Sequence, residues 1–155
     1  MTATRPFNVL FVCAGNTARS PFAAACAREH LRHVDGSVVV ESAGTQVIEG
    51  QLVAPETLRL AEPFGYDLSG HRARAVTTEE CRGADLILAL GWDQVSYIWS
   101  LVPDSWDRCF TLKEFVHYAR RSPRRPAILF ADVPDRMRDS VAQAHELRRR
   151  SPQKP

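Results

Sequence analysis

The sequence predicts a single α/β domain around a mostly parallel sheet, and three observations carry that reading. Short apolar or β-branched runs alternate with longer helical stretches along the chain. A strand, a helix and a second strand follow one another between Phe7 and Glu41, a βαβ unit that should cross over right-handed. The 155 residues show no linker and no internal repeat, which is the size of one core. The domain is expected to occupy residues 1–150, with 151–155 a disordered tail.

Each element has its own signal. Phe7–Val12 is a short apolar run suited to a buried parallel strand. Ser20-Pro21 opens a helix, Ser as N-cap and Pro at the first helical position, and the Ala-rich stretch runs to about His33, where Asp35-Gly36 stops it. Ser37–Glu41 is the second strand. A helix is expected near Pro55–Phe64, and Thr77-x-x-Glu80 is a capping box for a short one. Asp85–Leu90 is a third buried strand, followed by a helix over Trp92–Leu101. Arg108–Thr111 forms a short fourth strand, Leu112–Arg121 a helix, Ser122–Pro126 a loop with two prolines, and Asp139–Arg150 the last helix.

Composition narrows the function. Hydrophobic residues make up 45% and charged ones 25%, as in ordinary globular proteins. The net charge of +2 is too small to argue for nucleic acid or an anionic membrane as partner. No apolar run is long enough to span a bilayer and the start has no signal-peptide pattern, so a cytoplasmic location is expected. Cys13, Cys26, Cys81 and Cys109 form no C-x-x-C pair, which suits a reducing compartment better than a disulfide framework. The five histidines make no ligand cluster, and neither a metal nor a cofactor is expected.

The chemistry concentrates in Cys13-Ala14-Gly15-Asn16-Thr17-Ala18-Arg19-Ser20. The cysteine ends a buried strand and the arginine stands just before a helix start, where open α/β sheets bind ligands. The backbone of Ala14, Gly15, Asn16, Thr17 and Ala18, with Ser20 and the helix N-terminus, then forms a candidate anion cradle. Such amides favour the thiolate of Cys13 over the thiol. Arg19 offers a planar fork for two phosphate oxygens. The Ser20 hydroxyl can donate to the thiolate, and Gly15 is expected to take a backbone turn barred to other residues.

These residues resemble the low-molecular-weight protein tyrosine phosphatase family in its bacterial form. The family loop, Cys-x4-Cys-Arg-Ser-Pro after the first strand, is matched except at Ala18. Ser42–Thr45, His71–Arg74, Ala84–Leu88 and Thr111–Phe115 match further family segments in the right order. The resemblance implies a four-stranded parallel sheet with helices on both faces and a phosphate-binding loop after the first strand. It implies Cys13 as nucleophile and Arg19 as phosphate clamp, with Asn16, Ser20, Ser42 and His71 bracing the loop. The family's general acid falls on Asp135, with Asp132 as the alternative. The activity implied is hydrolysis of phosphotyrosine and small aryl phosphates through a phosphocysteine, with inorganic phosphate and vanadate as inhibitors.

Three departures stand out: Ala18 replaces the loop's second Cys, Arg136-Met137 replaces Pro-aromatic, and no Trp occurs in Thr45–Gly50. Two other readings stay open. One is a phosphate-dependent regulatory or binding protein with weak turnover, and the other a thiol-coupled arsenate reductase on the same fold. Cys81 lacks a second Cys in the following dozen residues, which weighs against the reductase.

Overall fold

Four strands, β1 (Phe7–Cys13), β2 (Val38–Gly44), β3 (Leu86–Ala89) and β4 (Cys109–Thr111), pair in the order β2-β1-β3-β4, all parallel. The computed structural model describes residues 5–34, 36–123 and 131–151. Among the described residues six α-helices accompany the sheet: α1 (Arg19–Leu31), α2 (Pro55–Ala61), α3 (Thr78–Gly83), α4 (Trp92–Leu101), α5 (Leu112–Ala119) and α6 (Val133–Arg150). Among the described residues no helix is long and apolar enough to cross a membrane.

Alternation along β1 divides the core in two. Leu10 and Val12 pack with Cys81 of α3 and with Val95 and Ile98 of α4. Phe7, Val9 and Phe11 pack on the other face with Ala24 of α1, Tyr118 of α5, and Val141 and Ala144 of α6. Both faces of the sheet are therefore covered, as a parallel sheet requires. The chain leaves β1 for β2 on one side and returns to β3 on the other, so the loop after Cys13 lies at the switch point of the sheet.

Several elements depart from the sequence expectation. α1 begins at Arg19 with Ala18 in the N-cap position and no side-chain cap. The Ser20 hydroxyl is used elsewhere, which moves the helix start two residues back from the expected Ser cap. β2 runs on through Ser42-Ala43-Gly44 because β1 continues to Cys13 and pairs with it. α6 starts at Val133, well before Asp139: Asp132 accepts the backbone N–H of Asp135 at 2.9 Å and Pro134 sits in the first turn, both strong helix-start features. The expected turn residue Asp35, the end of the Ser122–Pro126 loop and tail residues 152–155 lie outside the described residues.

Candidate active site

Cys13 ends β1, 2% exposed, and its sulfur meets two groups of the following loop. The Asn16 backbone N–H donates to Sγ at 3.3 Å, and Ser20 Oγ lies 3.0 Å away. Ser20 Oγ already accepts from Asn16 Nδ2 at 2.9 Å, so its single proton is shared between the Cys13 sulfur and the Ala43 carbonyl, 3.3 Å away. A negative sulfur is the stronger acceptor and takes that proton.

Asn16 organises the loop. It is fully buried and the one non-glycine among the described residues with positive φ, +53°. Asn tolerates this left-handed conformation better than most residues. Its Nδ2 also donates to Ser42 Oγ at 3.0 Å, its Oδ1 accepts the Arg74 backbone N–H at 3.0 Å, and its carbonyl faces His71 Nε2 at 2.9 Å. The structure thus brings Cys13, Asn16, Ser20, Ser42 and His71 into one hydrogen-bonded cluster. Backbone bonds add to it: Thr45 donates to the Cys13 carbonyl at 3.0 Å, Gln46 to that of Ala14 at 2.9 Å, and Ala54 to that of Thr17 at 2.9 Å. The backbone N–H groups of Ala14, Gly15, Thr17 and Ala18 donate to no group among the described residues. A bent loop whose carbonyls are held and whose amides are left unpaired is an anion nest.

The glycine that matters is not the one the sequence suggested. Gly15 has no positive φ, and a Cβ there would meet only Thr17 Oγ1 at 3.5 Å. The left-handed residue is its neighbour Asn16. Gly44, which ends β2, is the position without room: a Cβ would lie 2.3 Å from the Ala14 carbonyl oxygen and 3.0 Å from Asn16 Cβ. The absent side chain lets β2 press against the loop.

Arg19 is exposed at the first turn of α1 and lines a cleft with Ala14, Gln46, Asp93 and Tyr97. The last two come from α4, which the motif reading did not single out. Asp93 in the first turn of a helix after the third strand was the available signal, since that end of β3 lies beside β1.

Asp135 is not brought to Cys13. Its carboxylate pairs with Arg138 at 3.1 Å, and Arg138 donates to the carbonyls of Arg5 and Pro6, at 2.7 and 3.2 Å, just ahead of β1. Cys13 stands at the far end of that seven-residue strand, roughly 20 Å on. Asp132 caps α6 at the same end. Both carboxylates expected as the general acid are thus engaged in the first turn of α6, Asp132 as its cap and Asp135 in the pair with Arg138.

The remaining cysteines stand apart. Burial pushes the Cys81 thiol up to about 11 and the Cys109 thiol up to about 12. Among the described residues no group of three His, Cys, Asp or Glu side chains could hold a metal ion.

The fold and site have relatives. The family model "Low molecular weight phosphotyrosine protein phosphatase" matches residues 8–148. A probable low molecular weight protein-tyrosine-phosphatase, EpsP, of Ralstonia solanacearum is 33% identical over 126 residues, covering 81% of this chain and 84% of that protein. A protein-arginine-phosphatase of Geobacillus stearothermophilus is 34% identical over 111 residues, 72% of each chain. The structure of a low molecular weight protein tyrosine phosphatase from T. tengcongensis superposes with a TM-score of 0.67 at 29% identity, covering 91% of this chain and 94% of that one.

Proposed function

This chain belongs to the low molecular weight phosphotyrosine protein phosphatase family, whose members are phosphoric monoester hydrolases, and we propose that it hydrolyses phosphotyrosine and aryl phosphates through a phosphocysteine. The observation that carries the proposal is the Cys13 sulfur at the start of the amide nest, 3.3 Å from the Asn16 N–H and 3.0 Å from the Ser20 hydroxyl. The loop amides and the Arg19 guanidinium bind the phosphoryl oxygens, and Arg19 holds them best as charge spreads over them in the transition state. The Cys13 thiolate attacks phosphorus, an S–P bond forms and the P–O bond to the leaving group breaks. Water then attacks phosphorus, the S–P bond breaks, and the thiolate is received by the Ser20 hydroxyl and the Asn16 N–H. With Asp135 held on Arg138, the leaving oxygen takes its proton from water, which suits esters of acidic alcohols such as phenols.

A second substrate class, phosphoarginine, is favoured by one feature of the cleft, the acidic side chain of Asp93, and by the likeness to a protein-arginine-phosphatase. A nucleophile that must stay a thiol fits the cytoplasm as setting, and all four cysteines are free. The partners proposed are phosphoproteins or small aryl phosphates, with phosphate and vanadate as competing anions, and neither nucleic acid nor a membrane.

The deciding experiment measures turnover of phosphotyrosine, phosphoarginine and nitrophenyl phosphate by wild type and by Cys13→Ser. Turnover by the wild type, none by the variant, and phosphate still bound by the variant is the expected result. Activity retained by Cys13→Ser overturns the mechanism. Absence of turnover with tight phosphate binding in both makes the chain a phosphate-binding protein.

A further inference from the structure

The cleft beside the Cys13 loop has a volume of ≈ 350 Å³. It is lined by Ala14 and Arg19 of the loop and helix start, by Gln46, and by Asp93 and Tyr97 of α4. Asp93 and Tyr97 are one helical turn apart, so they stand one above the other on the face of α4 that lines the cleft. Among the described residues Arg19 and Asp93 are the only charged side chains lining it, and neither has a hydrogen bond or ion pair. Glu41, Glu49 and Glu80 are committed elsewhere. Glu41 and Glu80 pair with Arg74, and Glu49 accepts the Ala75 backbone N–H at 2.8 Å. Tyr97 is 40% exposed.

Phosphate seated on the loop amides fixes phosphorus, and the leaving group must then project outward. Arg19 serves the phosphoryl oxygens, which leaves Asp93 as the charge that meets what projects. We propose that Asp93, with Tyr97 beside it, sets the substrate class: esters whose leaving group is a ring bearing, or flanked by, positive charge. The proposal rests on the phosphatase reading above and adds the residue that chooses among its substrates. The Tyr97 ring offers a face for an aromatic leaving group or a planar cation. The Asp93 carboxylate attracts a cation in the cleft and repels a carboxylate. Partly screened by water, one such charge changes the preference between cationic and anionic substrates by roughly tenfold.

The test uses three phenyl phosphates with similar leaving groups, carrying para-aminomethyl, para-methyl and para-carboxymethyl substituents. kcat/KM is measured for wild type, Asp93→Asn and Asp93→Lys. The wild type should prefer the cation to the anion, with a ratio that shrinks as salt is added. Asp93→Asn should lower that ratio roughly tenfold, and Asp93→Lys should reverse it. Equal losses on all three esters, or a ratio unmoved in both variants, overturn the proposal. Binding of the same esters to Cys13→Ser, with and without Asp93→Asn, reads the charge preference without turnover. Failure of the phosphatase reading and failure of the selectivity are thereby separate results.

Discussion

The side-chain amide of Asn16 donates to the Ser42 hydroxyl across 3.0 Å, and through it the end of β2 holds the left-handed turn of the loop after β1. Asn16 is buried and its amide nitrogen has a second acceptor in Ser20, 2.9 Å away. Both of its N–H bonds are thus satisfied, and a network so satisfied is rigid.

Ser42→Ala leaves one of those buried N–H groups unpaired, at a cost of about 1–3 kcal/mol. The melting temperature should fall by several degrees, at about 2–4 °C per kcal/mol for a chain of this size. Turnover should fall with it, because the Asn16 N–H that meets the Cys13 sulfur loses its support. Thermal melts and kcat for this variant check the point, and unchanged values in both would show that the loop stands without β2.

Gly44→Ala should be far more harmful than Gly15→Ala. The new Cβ at 44 would lie 2.3 Å from a backbone oxygen, whereas at 15 its nearest neighbour is 3.5 Å away. Overpacking of this kind costs about 1–3 kcal/mol and here displaces the loop itself. Activity should drop at least tenfold, in order-of-magnitude terms, for Gly44→Ala and stay near wild type for Gly15→Ala. Parallel assays of the two variants read the difference directly.

Asp135→Asn should leave turnover of nitrophenyl phosphate within about threefold of wild type, and phenyl phosphate likewise, where a positioned acid would be worth about 10²–10⁴. The reason is the pair with Arg138 at 3.1 Å, at the end of the sheet away from Cys13. A loss that grows as the leaving group becomes less acidic would show that the first turn of α6 opens and carries Asp135 to the site.

Cys81 and Cys109 should resist alkylation at pH 8 in the folded protein and react only on unfolding. Burial raises their thiols to about 11 and about 12, well above an unfolded thiol at about 8.5. The unfolded chain therefore loses these protons first as pH rises. Their contribution to stability is complete below about pH 8.5 and is lost as pH climbs through about 11 and about 12. Mass-resolved alkylation and denaturant midpoints from pH 7 to about 10 test both statements. Fast labelling of Cys109 at pH 8 would show that β4 opens.

Much of this protein could be read along the chain. The alternation of apolar runs with helical stretches determines the α/β class, because strand and helix periods are local properties. The capping boxes of Thr77 with Glu80 and Thr111 with Glu114 are both formed, since each needs only four consecutive residues. The position of Cys13, Arg19 and Ser20 between a strand and a helix marks the anion loop for the same reason. What only the tertiary structure decided are the relations between distant segments. Gly44 is needed because β2 pairs with β1 and brings it against Ala14. Asp93 reaches the cleft because β3 lies beside β1, which brings the start of α4 to the loop. Asp135 lies toward the start of β1 because its partner Arg138, three residues on, finds the carbonyls of Arg5 and Pro6. A motif places a residue only as far as its own turn of chain extends, and beyond that the packing of the sheet decides which side chains meet.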